Sequence, residues 1–144
     1  MTSAVYDNAL YHFGIGEVNF TTASRIWATL EGNTGPTKTH AHYSDIAGQL
    51  AASGNYVLGG ATDTPGTCTV VSNVTQFDAP DAAWTGASFS AYFSIVDWGS
   101  TATTAANPLM SYHDLGGIQT VTVGTLTLQW AATGLFTLTS SAAA

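Results

Sequence analysis

The sequence predicts a mainly β fold, an antiparallel β-sandwich with a short N-terminal helix. Three observations predict it. From Tyr56 onward, about seven short runs of apolar, β-branched and aromatic residues follow one another, separated by turn residues. Charged residues make up only 8% of the chain, against about 25% in ordinary soluble domains. Yet 45% is hydrophobic, and Thr, Ser, Gly and Ala fill most of the rest, which suits buried strands beneath a neutral surface. At 144 residues the chain is long enough for one domain with its own core, expected over 1–139, with a flexible tail at 140–144.

Taken in order, Ser3 to Phe13 reads as the helix. Ser3 stands where a cap is wanted, Val5, Leu10 and Phe13 with Tyr6 and Ala9 form a helical stripe, and Gly14 and Gly16 end it. Asn19 to Thr22 is a turn-like link. Ser24 to Leu30 alternates, with Ile26, Ala28 and Leu30 on one side and Arg25, Trp27 and Thr29 on the other, which predicts a strand. Glu31 to Pro36 is a loop by its glycines, asparagine and proline. Ser44 to Leu50 opens on a capping serine and predicts a helical turn that ends by Gly54. Strands follow at Tyr56 to Leu58, Thr67 to Val71, Val74 to Phe77, Ala87 to Val96, Pro108 to Asp114, Thr120 to Leu128 and Leu135 to Thr139. Gly124 interrupts the pattern Val121, Val123, Leu126, Leu128 and marks a bulge or a tight turn. The single cysteine, Cys68, excludes an intrachain disulfide and reads as a small buried strand residue.

The charge balance narrows the function. Two basic residues, Arg25 and Lys38, stand against nine acidic ones, for a net charge of −7. DNA and anionic membranes both need Lys and Arg to replace counterions, so neither is expected as a partner. The N-terminus has no basic and apolar leader pattern, no apolar run reaches the ~18 residues of a membrane span, and synthesis in a cytoplasm is expected. His40-Ala41-His42 carries metal-ligand chemistry: on a strand the two imidazoles would point the same way, with Asp45 or His113 as thinkable third ligands. Closed zinc sites want four ligands, however, and the pair reads as polar loop histidines. Asp78-Ala79-Pro80-Asp81 lacks calcium-loop spacing and reads as a turn. Asp97 and Asp114 each follow an apolar strand and read as strand-end aspartates, not as a glycosidase pair. No phosphate fingerprint, nucleophile elbow or metalloprotease motif occurs, and no triad is suggested. The expectation is therefore a non-enzymatic chain with no cofactor and no metal.

Four tryptophans, Trp27, Trp84, Trp98 and Trp130, serve either as core or as interface anchors, and an exposed one would also stack on a sugar ring. The order of several short boxes is distinctive. They are Arg25-Ile26-Trp27-Ala28-Thr29-Leu30, His42-Tyr43-Ser44-Asp45-Ile46, Gly54-Asn55-Tyr56-Val57-Leu58-Gly59-Gly60 and Phe77-Asp78-Ala79-Pro80-Asp81-Ala82-Ala83-Trp84. Two more follow, one running from Pro108-Leu109 through Tyr112 and Asp114 to Gly116-Gly117, the other from Gln129-Trp130 through Gly134 to Leu138.

In that order, and over nearly its whole length, the chain resembles a widespread group of small tailed-bacteriophage virion proteins. It departs from them in its sparse basic residues and in extra Gly-Asn residues between Glu31 and Pro36. The resemblance implies a structural part of a virion, a decoration (cement) protein that binds and stabilises the icosahedral head, and implies no catalytic residues. The partner would be the phage major capsid protein, the location the capsid surface, and the free form a homo-oligomer, with a trimer natural at a three-fold position. Alternatives are a head–tail connector or tail component, or a carbohydrate-binding adhesion module. The expected contact residues are Trp27, Thr34, Pro36, Lys38, His40 and His42 around the loop Glu31 to His42. Trp98, Thr101, Thr103 and Asn107 join them around the segment Ser100 to Asn107, since both stretches read as projecting loops.

Overall fold

The computed structural model describes residues 2–21, 25–32, 35–60, 65–99 and 105–140, apart from the side chains of 25–27. The described elements are β1 (Ala4–Val5), α1 (Ala9–Gly14), β2 (Arg25–Glu31), a 3₁₀ turn (Tyr43–Asp45), β3 (Thr67–Val71), β4 (Val74–Asp78), β5 (Ala82–Gly99), β6 (Leu109–Leu128) and β7 (Phe136–Thr139). They form two antiparallel sheets, one in the order β1-β6-β5-β2 and one in the order β3-β4-β7. The protein is thus mainly β with one small helix. The expected tail beyond Ser140 lies outside the described residues.

The N-terminal helix starts later than its sequence stripe suggests. Ala4 and Val5 pair with Tyr112 and Ser111 of β6, and the Tyr6 N–H donates to the Met110 carbonyl at 3.1 Å. The Ser3 hydroxyl oxygen accepts from the Asp114 N–H at 3.0 Å and caps no helix. An open β6 edge offers ladder hydrogen bonds, and tertiary pairing of that kind outweighs a weak local helix propensity. The strand expected at Tyr56 to Leu58 is instead a pair of tight turns, bridged Ser53 to Tyr56 and Val57 to Gly60. The helical turn expected over Ser44 to Leu50 shrinks to Tyr43–Asp45, capped by His42.

β5 and β6 are longer than expected. Apart from Pro108, the runs expected at Pro108 to Asp114 and Thr120 to Leu128 belong to one strand of 20 residues, Leu109–Leu128. It curls because its register slips against β5. From the pair Phe93–Asp114 to the pair Ala91–Gln119, β5 advances two residues and β6 five. The surplus holds Gly116 and Gly117 at φ of 76° and 122°, conformations that an L side chain resists. Gly124 lies at a second bulge, where two residues of β5 oppose three of β6 and Val123 takes φ 46°.

Two apolar clusters result. In one, Ile95, Val96, Leu109, Met110 and Tyr112 of the larger sheet meet Phe77 and Phe136 of the smaller, with Tyr6, Ala9 and Phe20. The Phe77 and Phe136 rings stack with centroids 4.7 Å apart. In the other, Leu30, Tyr56, Trp84, Ala87 and Leu128 pack together, with Leu115, Leu126 and Trp130 against them. Cys68 lies in β3 as expected but is exposed: among the described residues β3 has a sheet neighbour on one edge only, and every one of its residues faces solvent.

Candidate functional site

A polar centre lies inside the larger sheet. Asp97, wholly buried on β5, accepts a 2.8 Å hydrogen bond at Oδ2 from the Asn107 amide, while Oδ1 has no partner. Burial pushes its carboxyl well above the usual range, and the Asn107 bond offsets part of that. Glu31, 2% exposed at the end of β2, is also pushed up by burial, against an opposing pull from the His40 charge and a backbone bond with Gly48. Tyr6 is raised by the same desolvation and its hydroxyl has no partner. Tyr56, pushed up to about 12 by burial, accepts the Leu30 N–H at its hydroxyl oxygen, 3.0 Å away. The Tyr43 hydroxyl donates to Gln49. Asp97 and Glu31 are buried, whereas Tyr43 and Gln49 are half-buried. Asp97 and Asp114 do not form a pair: Asp97 faces Leu109 while Asp114 faces Phe93, four residues further along β5, which separates them by roughly 13 Å.

The described residues of the loop Glu31 to His42 do not project as expected. Pro36 is buried, His40 and His42 are half-buried, and among the described residues named above only Lys38 is exposed. The loop lies against the N-terminal segment. The Asp7 N–H donates to the Lys38 carbonyl at 3.0 Å, and the Lys38 ammonium pairs with the Asp7 carboxylate at 2.9 Å, which raises the ammonium pKa. His40 follows a turn and only His42 makes a β-bridge, to Pro108, so the two imidazoles do not share a strand face. The His42 ring meets that of His12 edge-on at 5.6 Å, and His12 Nδ1 bonds Glu17 at 2.6 Å. Asp45 accepts the N–H groups of Ala41 and His42, and these bonds hold its carboxyl below the usual range. Among the described residues, no three His, Cys, Asp or Glu side chains gather as metal ligands.

Asn107 is a second correction. It is buried against Asp97 and does not project, and the N–H groups of Tyr43 and Ser44 bond the carbonyls of Asn107 and Ala105. Trp98 is half-buried against the first cluster with its indole N–H unpartnered. Thr34, Thr101, Thr103 and the Trp27 side chain lie outside the described residues.

Two surface features remain. The first is β3. It is one edge of the smaller sheet, β7 being the other, and its last residues, Val70 and Val71, are 71% and 54% exposed. No charge falls between Thr67 and Val71. Sequence reasoning had the strand right and missed its exposure, since Cys-Thr-Val-Val reads as buried by hydropathy. The second is an open cleft where β6 curls back, so that residues 113–115 and 126–130 line one space of about 370 Å³ with Ser94. The His113 and Trp130 rings meet there at a 55° tilt with centroids 5.1 Å apart.

Comparison of the chain with protein-family models, with characterised proteins and with solved structures returns no match. Among the described residues, no helix is long and apolar enough to cross a membrane.

Proposed function

We propose that the chain is a non-enzymatic structural protein of a tailed-phage virion, a decoration protein whose two sheets close as a sandwich and which clamps the head from outside. The observation that carries this reading is the bare edge strand β3. Natural monomers protect their sheet edges with charge, proline or a covering element, because an open edge pairs with other chains. Among the described residues, β3 has one edge without a strand neighbour, and it carries no charge and two exposed valines at its end. Such a strand fits a chain that is completed by assembly.

The boxes that carry the phage resemblance support a scaffold role, because their residues build the fold. Gly60 takes φ 98°, and a Cβ there would stand 1.9 Å from the Ala28 carbonyl oxygen. The Thr29 hydroxyl bonds the neighbouring Gly59 carbonyl at 2.7 Å. The Phe77 to Trp84 box turns the chain from the smaller sheet into the larger, with Asp78 accepting the Ala79 N–H and Trp84 buried. The two buried carboxylates, Asp97 and Glu31, lie within the same framework.

In this role the protein is a homo-oligomer, with a trimer at the capsid three-fold as the working geometry. It stabilises the shell by mass action, binding the assembled coat surface in preference to the free subunit. The acidic surface steers it to basic patches on the coat protein. The test is the copy number of the chain in purified virions, by quantitative mass spectrometry against the major coat protein. A ratio near that of the coat protein is expected. A few chains per particle would move it to the connector or tail, and absence from particles would overturn the virion reading.

A further inference from the structure

We propose that the cleft inside the curl of β6 is a binding site for a neutral saccharide, with Trp130 as its stacking face. This site is separate from β3 and does not depend on the assembly reading.

The cleft is built rather than incidental. The Trp130 N–H donates to the Asp81 carboxylate at 3.0 Å, and its indole N–H donates to the Pro80 carbonyl at 3.1 Å. Both bonds hold the ring by its backbone and its nitrogen edge and leave its polarity satisfied away from the cleft. A held aromatic face attracts the electropositive C–H groups of a sugar ring, as it attracts any C–H edge. On the opposite wall, Ser94 pairs with His113 across the β5–β6 ladder. Ser94 is wholly buried at the cleft lining, and its hydroxyl has no hydrogen-bond partner. A buried hydroxyl without a partner is costly and calls for one, and a ligand hydroxyl supplies it.

His113 adds a second fixed group. Its Nε2 bonds the Ser111 hydroxyl at 3.0 Å, which leaves Nδ1 as the ring's remaining hydrogen-bonding nitrogen. Desolvation lowers its pKa to about 4, so the ring is neutral around pH 7 and offers no charge to an anion. Among the described residues, no Lys or Arg lines the cleft. Asp114, whose carboxyl is held low first by the Gly116 N–H bond, gives it a negative wall. Gln119 and Gln129 complete the rim with amides that donate and accept. One aromatic face, uncharged hydrogen-bonding groups and a carboxylate suit a polyhydroxylated neutral ring and disfavour phosphate, sulfate and uronic acids. The volume is at the low end of the range for small-molecule sites, about 300–1,000 Å³, which allows one or two rings.

The experiment is saturation-transfer NMR on the full chain. The probes are methyl glycosides of glucose, galactose, mannose and N-acetylglucosamine, their disaccharides, and glucuronic acid. Transfer to at least one neutral sugar is expected, with affinity about tenfold weaker in Trp130→Ala and reduced in the surface variant Gln129→Ala. Tighter binding of a disaccharide than of its methyl glycoside identifies a polymeric glycan as the source, and equal binding identifies a free sugar. Silence from every neutral sugar would overturn the proposal. So would equal binding by wild type and both variants, or a preference for glucuronic acid. Should Trp130→Ala fail to fold, the wild-type Trp130 indole N–H resonance decides: it shifts on titration, or the site is wrong. Loss of sugar binding leaves virion copy number unaffected, so the two proposals fail separately.

Discussion

Ile95-Val96 in β5 and Val70-Val71 in β3 are nearly the same dipeptide with opposite fates. β5 has β2 along one edge and β6 along the other, and both of its residues are fully buried in the cluster that joins the sheets. Among the described residues β3 pairs with β4 alone, and both of its valines face water. β-branched residues form strands in either setting, so propensity does not separate them. What separates them is cover. The buried pair reports how the chain folds, and the bare pair marks the surface on which the proposed assembly rests.

The largest expected effect comes from cutting each pair. Ile95→Ala should cost about 2–5 kcal/mol in urea unfolding, because it empties a site enclosed by both sheets. Val70→Ala should stay within about 0.5 kcal/mol in the free chain, as surface substitutions do. Its effect should fall on attachment to particles instead, read as reduced copies per virion. Equal losses of free-chain stability from the two substitutions would break the comparison.

Next comes the polar centre beneath β5. Asp97 has a raised pKa in the folded chain, so the native state holds its proton more tightly than the unfolded chain, whose carboxyl titrates near 3.9. Its stabilising contribution is full below that value and is lost as pH rises through the folded pKa. Asp97→Asn removes this loss and keeps an acceptor for the Asn107 amide, so it should be more stable than wild type at neutral pH. Glu31 acts with the same sign. His113 acts with the opposite one: its pKa is lowered to about 4, so its contribution is present above its unfolded value of about 6.5 and lost as pH falls through 4. The quantity to read is therefore the difference in urea midpoint between Asp97→Asn and wild type from pH 4 to pH 8. It should grow in favour of the variant as pH rises, and a difference that shrinks would refute the assignment.

Strand positions were largely legible in the sequence. β2, β3, β4 and β7 fall within a residue or so of their apolar runs, because local alternation and turn residues determine them. The misses share one cause, which is pairing with distant chain. Val5 left the helix for β6, Asn107 turned inward to Asp97, and Tyr56 gave up a strand to place its hydroxyl at Leu30. The cleft was legible only in part. Trp130 was visible as a candidate anchor, but Ser94 was hidden, since only the β5–β6 register and the curl at Gly116-Gly117 bring it beside His113. A serine flanked by Phe93 and Ile95 reads as filler until the register is known.

Cys68 offers a smaller effect that reports on β3 directly. Its thiol is exposed and unpaired by any disulfide, so maleimide should label it completely in the free, folded chain. If β3 is covered on the particle, labelling of intact virions should slow at least several-fold and recover once they are dissociated. Full-rate labelling on the particle would leave β3 uncovered and move the attachment surface elsewhere, sharpening the comparison by removing its functional half.

The smallest effect should come from Lys38, on the exposed side of the same divide. Its ammonium reaches Asp7 at 2.9 Å, but both side chains are about half exposed, and ion pairs in that setting are screened by solvent and salt. The loop is held to the N-terminal segment by the backbone bond from Asp7 to Lys38, which no side-chain change removes, and Pro36 is buried close by along the same loop. Lys38→Gln should therefore leave the thermal midpoint within error at both low and physiological salt. A drop that grows as salt is removed would mean that charge, not the β1–β6 ladder and its backbone bonds, keeps the N-terminal segment in place. The helix start at Ala9 would then rest on a single ion pair, and the contrast between covered and bare strands would extend to covered and bare charges.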